Sequence, residues 1–556
     1  MTSPRSLATL ADHEQAARAT RPIASRRIGR GRGQLPSARV WLLVAVTGVA
    51  WSLWDAGVGR KAIVNPGGWQ LVRRFWAAAA HPQLSPDFVL STWHDTLTTI
   101  GFAVLGTALA LIVGLVGAIA MSETWWQRES SLSSKPQLSG VRRRGWYATR
   151  TLWGIPRGIH EAVWGLYLVN ILGRDPLVGI LAIAIPFGAI TAKVYAELID
   201  ESAGDTYRVL RAAGSGRLVS LAYGAIPNAR ADLVSYAFYR LECSVRSAVI
   251  LGMIGAGGLG FRLSLSFQGL AYREMWTTIY ALIVVSALAD WWGSWLRRAP
   301  NRTRMHLSLV AGAALVVVSA AELRPDIGRL FTARSRKLAT DLALRSWPPS
   351  APRDGWWGLA RRAVETFQMS LLAIAIAGLL AIGVAFVAAR GATSRPRRLV
   401  AFAARGVLLV TRAIPAPVWA LLVLFVVYPG PIPGALALGI YNFGILGRLC
   451  AEVVENLDPG PATALDALGA HGLSTFAYAT LAQASTRFAT YSLYRWEVAL
   501  RETVIVGVVG AGGLGRLLEQ QRAAFDYSAM FATVLALLAA SLIVDLLSTA
   551  ARRSLR

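Results

Sequence analysis

The chain has 556 residues, 54% of them hydrophobic and 16% charged, with a mean hydropathy of +0.45 and a formal net charge of +26. So long and apolar a chain is not an ordinary soluble domain, and membrane spans are the expectation. The charge is nearly all arginine, and the arginines interrupt apolar runs instead of forming one basic domain, so they read as positive-inside flanking and not as a nucleic-acid surface. Cys243 and Cys450 stand at non-equivalent places in or near apolar runs, which excludes a disulfide framework or a cysteine metal cluster.

Residues 1–39 carry Arg5, Arg18, Arg21, Arg26, Arg27, Arg30, Arg32 and Arg39 and read as a basic cytoplasmic tail. An apolar run from Val40 to about Gly57 follows. A cleaved signal peptide is the alternative there, but the tail is long for an n-region. The run also holds Trp51 and Trp54 with no small-residue cleavage site, so it reads as an uncleaved first span entered from inside. Further runs near 97–121, 151–172, 176–195, 231–255 and 275–296 can each cross a bilayer, given about 17–25 residues per span. A second set lies near 305–322, 366–389, 402–428, 432–447, 485–510 and 527–547. The expected fold is an all-α polytopic membrane protein of about twelve transmembrane helices, in units 40–300 and 301–556. An even number of spans per unit gives both units the same orientation, related by an axis along the membrane normal. With both termini cytoplasmic, Arg142-Arg143-Arg144, the 196–230 loop, Arg297-Arg298, Arg395, Arg397, Arg398 and Arg552-Arg553 fall inside. The outward segment 323–364 is also basic, with Arg334, Arg336 and Lys337, though long loops weigh less in the rule.

One stretch occurs twice. Tyr239-Arg240-Leu241-Glu242 runs through Arg246 and Gly252 to Gly255-Ala256-Gly257-Gly258-Leu259-Gly260. The same frame returns 255 positions later as Tyr494-Arg495-Trp496-Glu497, Arg501, Gly507 and Gly510-Ala511-Gly512-Gly513-Leu514-Gly515. Of 22 aligned positions 13 are identical, where chance gives about one or two, which marks an internal duplication. Upstream, Arg157, Val163 and Trp164 return as Arg412, Val418 and Trp419, and Lys193 as Arg448. Further upstream the offset grows to about 270, because the polar linker 122–149 is longer than its partner at 390–401.

Within the repeat, Glu242 and Arg246 are four apart on a helix, as are Glu497 and Arg501. This spacing, with the acid N-terminal, sets each couple on one face as a pair. Arg240 and Arg495 are then surplus cations, one per half. A charge inside a span costs on the order of 3 kcal/mol and faces protein or a water-filled cavity. Two readings stand side by side: an ion-pair network that locks the bundle, and an anion path built from Arg240, Glu242, Arg246, Arg495, Glu497 and Arg501. The glycines formally satisfy the dinucleotide pattern G-x-G-x-x-G, which needs a strand before it, a helix after it and an acid about 20 residues on. Here the pattern closes a long helix and leads into a polar loop. Gly255, Gly257, Gly258 and Gly260, with Gly510, Gly512, Gly513 and Gly515, are expected instead to break the helix and allow close backbone approach at an outer gate. The polar segments 196–230 and 451–485 each read as two amphipathic half-helices with a glycine between them, a cytoplasmic knuckle. A surface or re-entrant helix pair is the plainer reading of the same pattern. The only lysines, Lys61, Lys135, Lys193 and Lys337, never follow a glycine, so the chain has no Walker-type site and is not expected to be an enzyme. His94, His160 and His471 lack ligand spacing, and neither metal nor cofactor is expected on this chain.

Taken together, the knuckle, the Tyr-Arg-x-Glu…Arg cluster and Gly-Ala-Gly-Gly-Leu-Gly resemble the permease subunit of bacterial phosphonate ABC importers, the PhnE-like family. Ile155-Pro156-Arg157-Gly158-Ile159-His160-Glu161-Ala162-Val163-Trp164, and Gly444-Ile445-Leu446-Gly447-Arg448-Leu449 leading into Ala451-Glu452, add to a likeness that covers about 95–295 and 365–547. The resemblance implies two six-span permease units fused in tandem, in the bacterial inner membrane. In that family the knuckle is the coupling loop that docks on the ATPase, a role the likeness carries onto Ala212, Gly214, Pro227, Ala467 and Gly469. It further implies two ABC ATPase subunits holding ATP and Mg, and an extracytoplasmic phosphonate-binding protein. The chain departs from the family where the coupling loop has its signature acid, since Arg208 and Thr463 stand there. Between the halves, Pro227 becomes Ala482, Glu161 becomes Ala416, Arg211 becomes Asp466 and Ser247 becomes Glu502.

The expected function is therefore uptake of phosphonate or a related phosphorus oxyanion. ATPase closure drives the knuckles, and the arginine-bearing helices alternate access to a path between the halves. An ion-coupled secondary transporter and a permease for another small solute, such as methionine or an osmolyte, are the competing readings; a non-transport, lipid-interacting scaffold is a third.

Overall fold

The computed structural model describes residues 38–127, 140–298, 301–389 and 394–555. The basic tail up to residue 37 and residues 128–139 of the polar linker lie outside the described residues. Among the described residues, regular structure is helical, and extended backbone pairs only in an isolated antiparallel bridge between Val64 and Val427. In chain order, α1 is Ala38–Asp55, α2 Gly68–Ala79, α3 Pro86–Met121, α4 Gly140–Gly158, α5 Glu161–Leu172 and α6 Pro176–Ser202. They are followed by α7 Asp205–Ala212, α8 Ile226–Leu251, α9 Gly258–Gln268, α10 Tyr272–Arg298 and α11 Arg302–Leu323. The second half repeats the series as α12 Gly355–Ala388, α13 Arg395–Ala413, α14 Ala416–Val426, α15 Pro431–Glu455, α16 Gly460–Ala467, α17 Ala482–Val506, α18 Gly513–Ala523 and α19 Tyr527–Ser554.

Seven of these helices, α3, α6, α10, α11, α12, α15 and α19, are long and apolar enough to cross a membrane. Three bent pairs raise the number to ten if each is one crossing: α8 with α9, α13 with α14, and α17 with α18. Of the remaining expected spans, 40–57 is the 18-residue α1. A straight span at 151–172 or 402–428 is not what the structure contains. The first divides at Ile159-His160 into α4 and α5, and the second bends by 93° between α13 and α14. The local cause differs between the copies. The His160 imidazole accepts the Ala162 N–H and so starts a new helix, whereas Pro415 precedes α14 and Pro417 sits in its first turn. A proline has no N–H with which to continue the preceding helix.

The helices form two compact units: Gln83–Ala339, and the described part of Arg26–Pro82 together with Thr340–Arg556. This packing division differs from the expected chain division at 300. In the first unit α11 lies along α3, where Leu323 fills the space beside Gly101. In the second, α1 lies along α12, and Gln368 Nε2 donates to Asp55 Oδ2 at 2.9 Å. The helix that opens each half in sequence is thus counted with the other compact unit, because its contacts are with α12 or α3.

The most extensive helix pairing in each unit is α3 with α6, or α12 with α15. Every fourth residue along the seam is small. Gly106, Ala110, Gly114 and Ala118 line α3, and Ala373, Ala377, Ala381 and Ala385 line α12 at the corresponding places, all buried. Association between membrane helices relies on such close approach, since lipid is as apolar as a leucine side chain. A Cβ on Gly114 meets Thr191 Cγ2 at 2.6 Å, and one on Gly106 meets Ile183 Cβ at 2.9 Å. Gly114→Leu and Ala381→Leu are expected to destabilise the protein by about 1–3 kcal/mol or more through overpacking. Thermal unfolding of the detergent-solubilised chain checks this, with Val116→Leu on the exposed face of α3 as an unshifted control.

Candidate functional site

The glycine motif forms the same turn twice. Each long helix widens at its end into π-helical turns, Gly252–Ala256 and Gly507–Ala511, and the chain then bends by 56° in one copy and 62° in the other. Gly255, Gly257 and Gly258 have φ of 109°, 106° and 71°, and Gly510, Gly512 and Gly513 have 111°, 112° and 66°. Those values suit glycine and strain any residue with a Cβ. The fourth glycine serves close approach instead: a Cβ on Gly260 would lie 1.9 Å from Val249 O, and one on Gly515 2.1 Å from Val504 O. Beyond the turn the chain forms an 11-residue helix, α9 or α18, and not the polar loop expected from its composition. The dinucleotide reading lacks its strand among the described residues.

A threonine pins the first turn of each of these helices. Thr99 Oγ1 accepts the Leu259 N–H at 2.9 Å and donates to Asp95 O at 2.8 Å. Thr366 Oγ1 accepts the Leu514 N–H at 2.9 Å and donates to Arg362 O at 2.8 Å. In each case the hydroxyl comes from α3 or α12, so the span that carries the small-residue seam also fixes the turn. Sequence reasoning missed both threonines. Their signal is that they precede the seam by the same interval in each half.

The charged clusters share residue types but differ in wiring. In the first half Arg240 and Glu242 are buried. The Arg246 Nη2 to Glu242 Oε1 distance is 4.0 Å, the outer limit of an ion pair, and Arg246 Nη2 also lies 3.6 Å from Cys243 Sγ. The Arg240 guanidinium sits 3.9 Å above the Phe187 ring, a cation–π contact. In the second half Glu497 is held by α19. Glu497 Oε1 meets Arg552 of α19 at 2.6 Å and Ser548 Oγ at 2.5 Å, while Arg501 Nε approaches the Glu497 backbone carbonyl at 3.4 Å. Helical spacing placed Glu497 and Arg501 on one face but could not register a competing arginine from α19. Nor is Arg495 a surplus cation. Its Nη2 is 3.1 Å from Glu502 Oε1, and its Nε donates to Asn442 Oδ1 at 2.8 Å.

The knuckles are helix–turn–helix elements. The preceding spans α6 and α15 run further than expected, to Ser202 and Glu455, and the knuckle proper begins there. Ala212 ends α7 and Ala467 ends α16. Gly214 and Gly469 follow at φ 85° and 79°. In both copies the turn closes with the same two backbone bonds: Gly214 N–H to Arg211 O and Ser215 N–H to Leu210 O, and Gly469 N–H to Asp466 O and Ala470 N–H to Leu465 O, all 3.0 Å. This is the glycine-terminated helix end that satisfies otherwise orphaned carbonyls. Pro227 and its counterpart Ala482 each follow a π-helical turn, Leu221–Ala225 or Phe476–Leu481, inside one continuous helical run, and a widened turn of that kind accommodates a proline's missing N–H. Leu218 and Tyr223 are exposed on the first knuckle, as are Leu468, Leu473 and Tyr478 on the second.

Residues 75–302, and again 369–556, match the family described as binding-protein-dependent transport system inner membrane component. The chain belongs to that family. It carries the permease domain twice and is a multi-pass, all-α tandem permease. The phosphate-import permease protein PhnE of Mycolicibacterium smegmatis is 28% identical over 435 residues, 76% of this chain and 77% of that protein. That alignment is longer than either matched domain and so takes in parts of both. The phosphite transport system permease protein PtxC of Stutzerimonas stutzeri is 34% identical over 212 residues, 38% of this chain and 76% of that protein.

The tandem permease thus has two glycine turns of one geometry, two knuckles of one geometry, and two charged clusters paired differently. Replacing Thr99 or Thr366 by Val leaves a buried backbone N–H without its acceptor, at a cost of about 1–3 kcal/mol. A lowered thermal midpoint in both variants, reversed by Ser at the same position, is the expected result. Glu502→Leu strips the carboxylate from Arg495 and is expected to cost about 3–5 kcal/mol, while Glu502→Leu combined with Arg495→Met recovers most of that loss. Denaturation of the wild type, the two single variants Glu502→Leu and Arg495→Met, and the double variant in one detergent measures the cycle.

Proposed function

We propose that this chain is the membrane permease of a bacterial ABC importer for a phosphorus oxyanion: phosphonate, phosphite or phosphate. The relatives named for phosphate and phosphite carry this reading, above all the one aligned across parts of both halves. An arginine in each half, Arg240 buried and Arg495 partly buried, suits a dianion, since a cation inside a span is retained where something negative meets it. Arg240, Glu242 and Arg246 with Arg495, Glu497 and Arg501 line the proposed path, and the glycine turns at 255–260 and 510–515 act as its outer gate.

In the proposed mechanism two ABC ATPase subunits bind ATP and Mg and grip the knuckles through Ala212, Gly214, Ala467 and Gly469. Their closure is passed to α8 and α17 through Pro227 and Ala482. The exposed Leu218 and Tyr223, and Leu473 and Tyr478, supply the apolar contact. An extracytoplasmic binding protein delivers the anion, and both termini are cytoplasmic.

The test is reconstitution of the chain with its ATPase and binding protein in vesicles, with phosphate, phosphite and methylphosphonate as probes. ATP-dependent uptake of at least one of them is expected. Uptake of none, with methionine or betaine carried instead, overturns the oxyanion reading. Tyr223→Asp with Tyr478→Asp is expected to abolish co-purification of the ATPase while leaving the thermal midpoint of the isolated chain in place, because both side chains are exposed.

A further inference from the structure

Two differences between the halves look like drift when taken singly. Glu161 at the start of α5 becomes Ala416 at the start of α14, and Ser247 on α8 becomes Glu502 on α17. In the first half the residues at these two positions touch: Ser247 Oγ donates to Glu161 Oε1 at 2.7 Å, and Glu161 is buried. The carboxylate that α5 delivers in the first half therefore lies beside the position from which Glu502 delivers its own in the second.

Equivalent positions surround the two carboxylates, though the direct contacts differ. Glu502 meets Arg495 Nη2 at 3.1 Å and accepts from Asn442 Nδ2 at 3.3 Å. Glu161 Oε2 also lies 3.5 Å from His160 Nδ1, and Arg240, the counterpart of Arg495, stands on the helix that carries Ser247. Phe187, the counterpart of Asn442, carries the Arg240 guanidinium over its ring. Arginine and carboxylate locus are seven residues apart on one helix, two turns, and so share a face. Either substitution alone changes the buried charge, by stranding a cation or by crowding two carboxylates, and both are costly. The two together conserve it. The carboxylate changed its parent helix and kept its place.

We propose that each half requires one carboxylate at this locus, Glu161 in the first and Glu502 in the second, as a positioning group for the buried arginine. It holds the guanidinium in place and is exchanged for the arriving anion. The requirement is for the charge at the place, whichever helix supplies it. The kinetic part of this proposal rests on the arginine-lined path proposed above.

The experiment uses the full chain with its ATPase and binding protein in vesicles, and the same three probes. Glu161→Gln and Glu502→Gln are each expected to lower both kcat and KM for uptake by about tenfold, because the arginine then meets the anion without a competitor and releases it slowly. Glu161→Ala with Ser247→Glu moves the carboxylate onto α8, as the second half has it, and is expected to restore uptake to within about threefold of the wild type. Ala416→Glu with Glu502→Ser, the reverse move, is expected to do the same. If either relocated pair is no better than its carboxylate-free single variant, the proposal is overturned. Rescue with a KM that never moved in the Gln variants also overturns it, since the carboxylate is then structural only. Where Glu161→Ala does not assemble, recovery of assembly and thermal midpoint on adding Ser247→Glu supports the locus, and no recovery overturns it. A wild-type chain that carries none of the probes defeats the oxyanion reading instead, and the relocation is then judged by the thermal midpoint alone.

Discussion

A guanidinium buried in an apolar bundle has to be met by something negative, and the organisation of each half follows from that requirement. Arginine keeps its charge at any accessible pH, so the protein cannot escape the cost by neutralising it. Each half meets the requirement through different neighbours. The first sets Arg240 on the Phe187 ring, seven residues before Ser247, which donates to Glu161. The second holds Arg495 between Glu502 and Asn442 by direct hydrogen bonds. The supporting elements are α5 and α6 with α8, and α15 with α17. The His160 cap fixes the start of α5, and prolines in the first turn fix those of α6 and α15.

Backbone polarity imposes the second constraint. A helix that breaks at membrane depth leaves N–H groups that only protein can satisfy. At residues 255–260 and 510–515 the freed N–H of Leu259 or Leu514 goes to a threonine on the seam helix, and the glycines let the two backbones come close enough for this to happen. Seam and turn are therefore one construction: the small residues that bring α3 against α6, or α12 against α15, belong to the same helix that offers Thr99 or Thr366.

Much of this was legible in the sequence, and the rest was not for identifiable reasons. The duplication, the helical class and the glycine break follow from residues whose effect is local: Gly255 needs its φ whatever surrounds it. Helix–helix partners are not local. Glu497 was assigned to Arg501 by spacing, but Arg552 comes from a helix 55 residues further on and approaches more closely. The i, i+4 spacing leaves Arg495 surplus, whereas in the structure Glu502 is its partner. The apolar run across Ile414-Pro415 reads as one straight span, and the structure bends it there by 93°. The grouping of α1 with α12, and of α11 with α3, lies outside what periodicity reports.

Sequence agreement and structural agreement part company between the halves. The arginine cluster is nearly identical in letters and wired differently; the knuckle differs in letters and is built alike. Arg211 and Asp466 both offer a backbone carbonyl to a glycine N–H, at 3.0 Å in each copy, although their side chains have opposite charge. Asp466 also accepts from Thr475 Oγ1 at 2.5 Å, tying its two half-helices together. Divergence at the knuckle thus changes surface charge and leaves shape intact, as expected where the backbone turn is held by glycine and by main-chain bonds. At the buried cluster the reverse holds, because the arginine's need can be met by any suitably placed carboxylate or π-face. In a fused chain the two halves are free to meet that need separately, since a substitution in one copy is no longer imposed on the other.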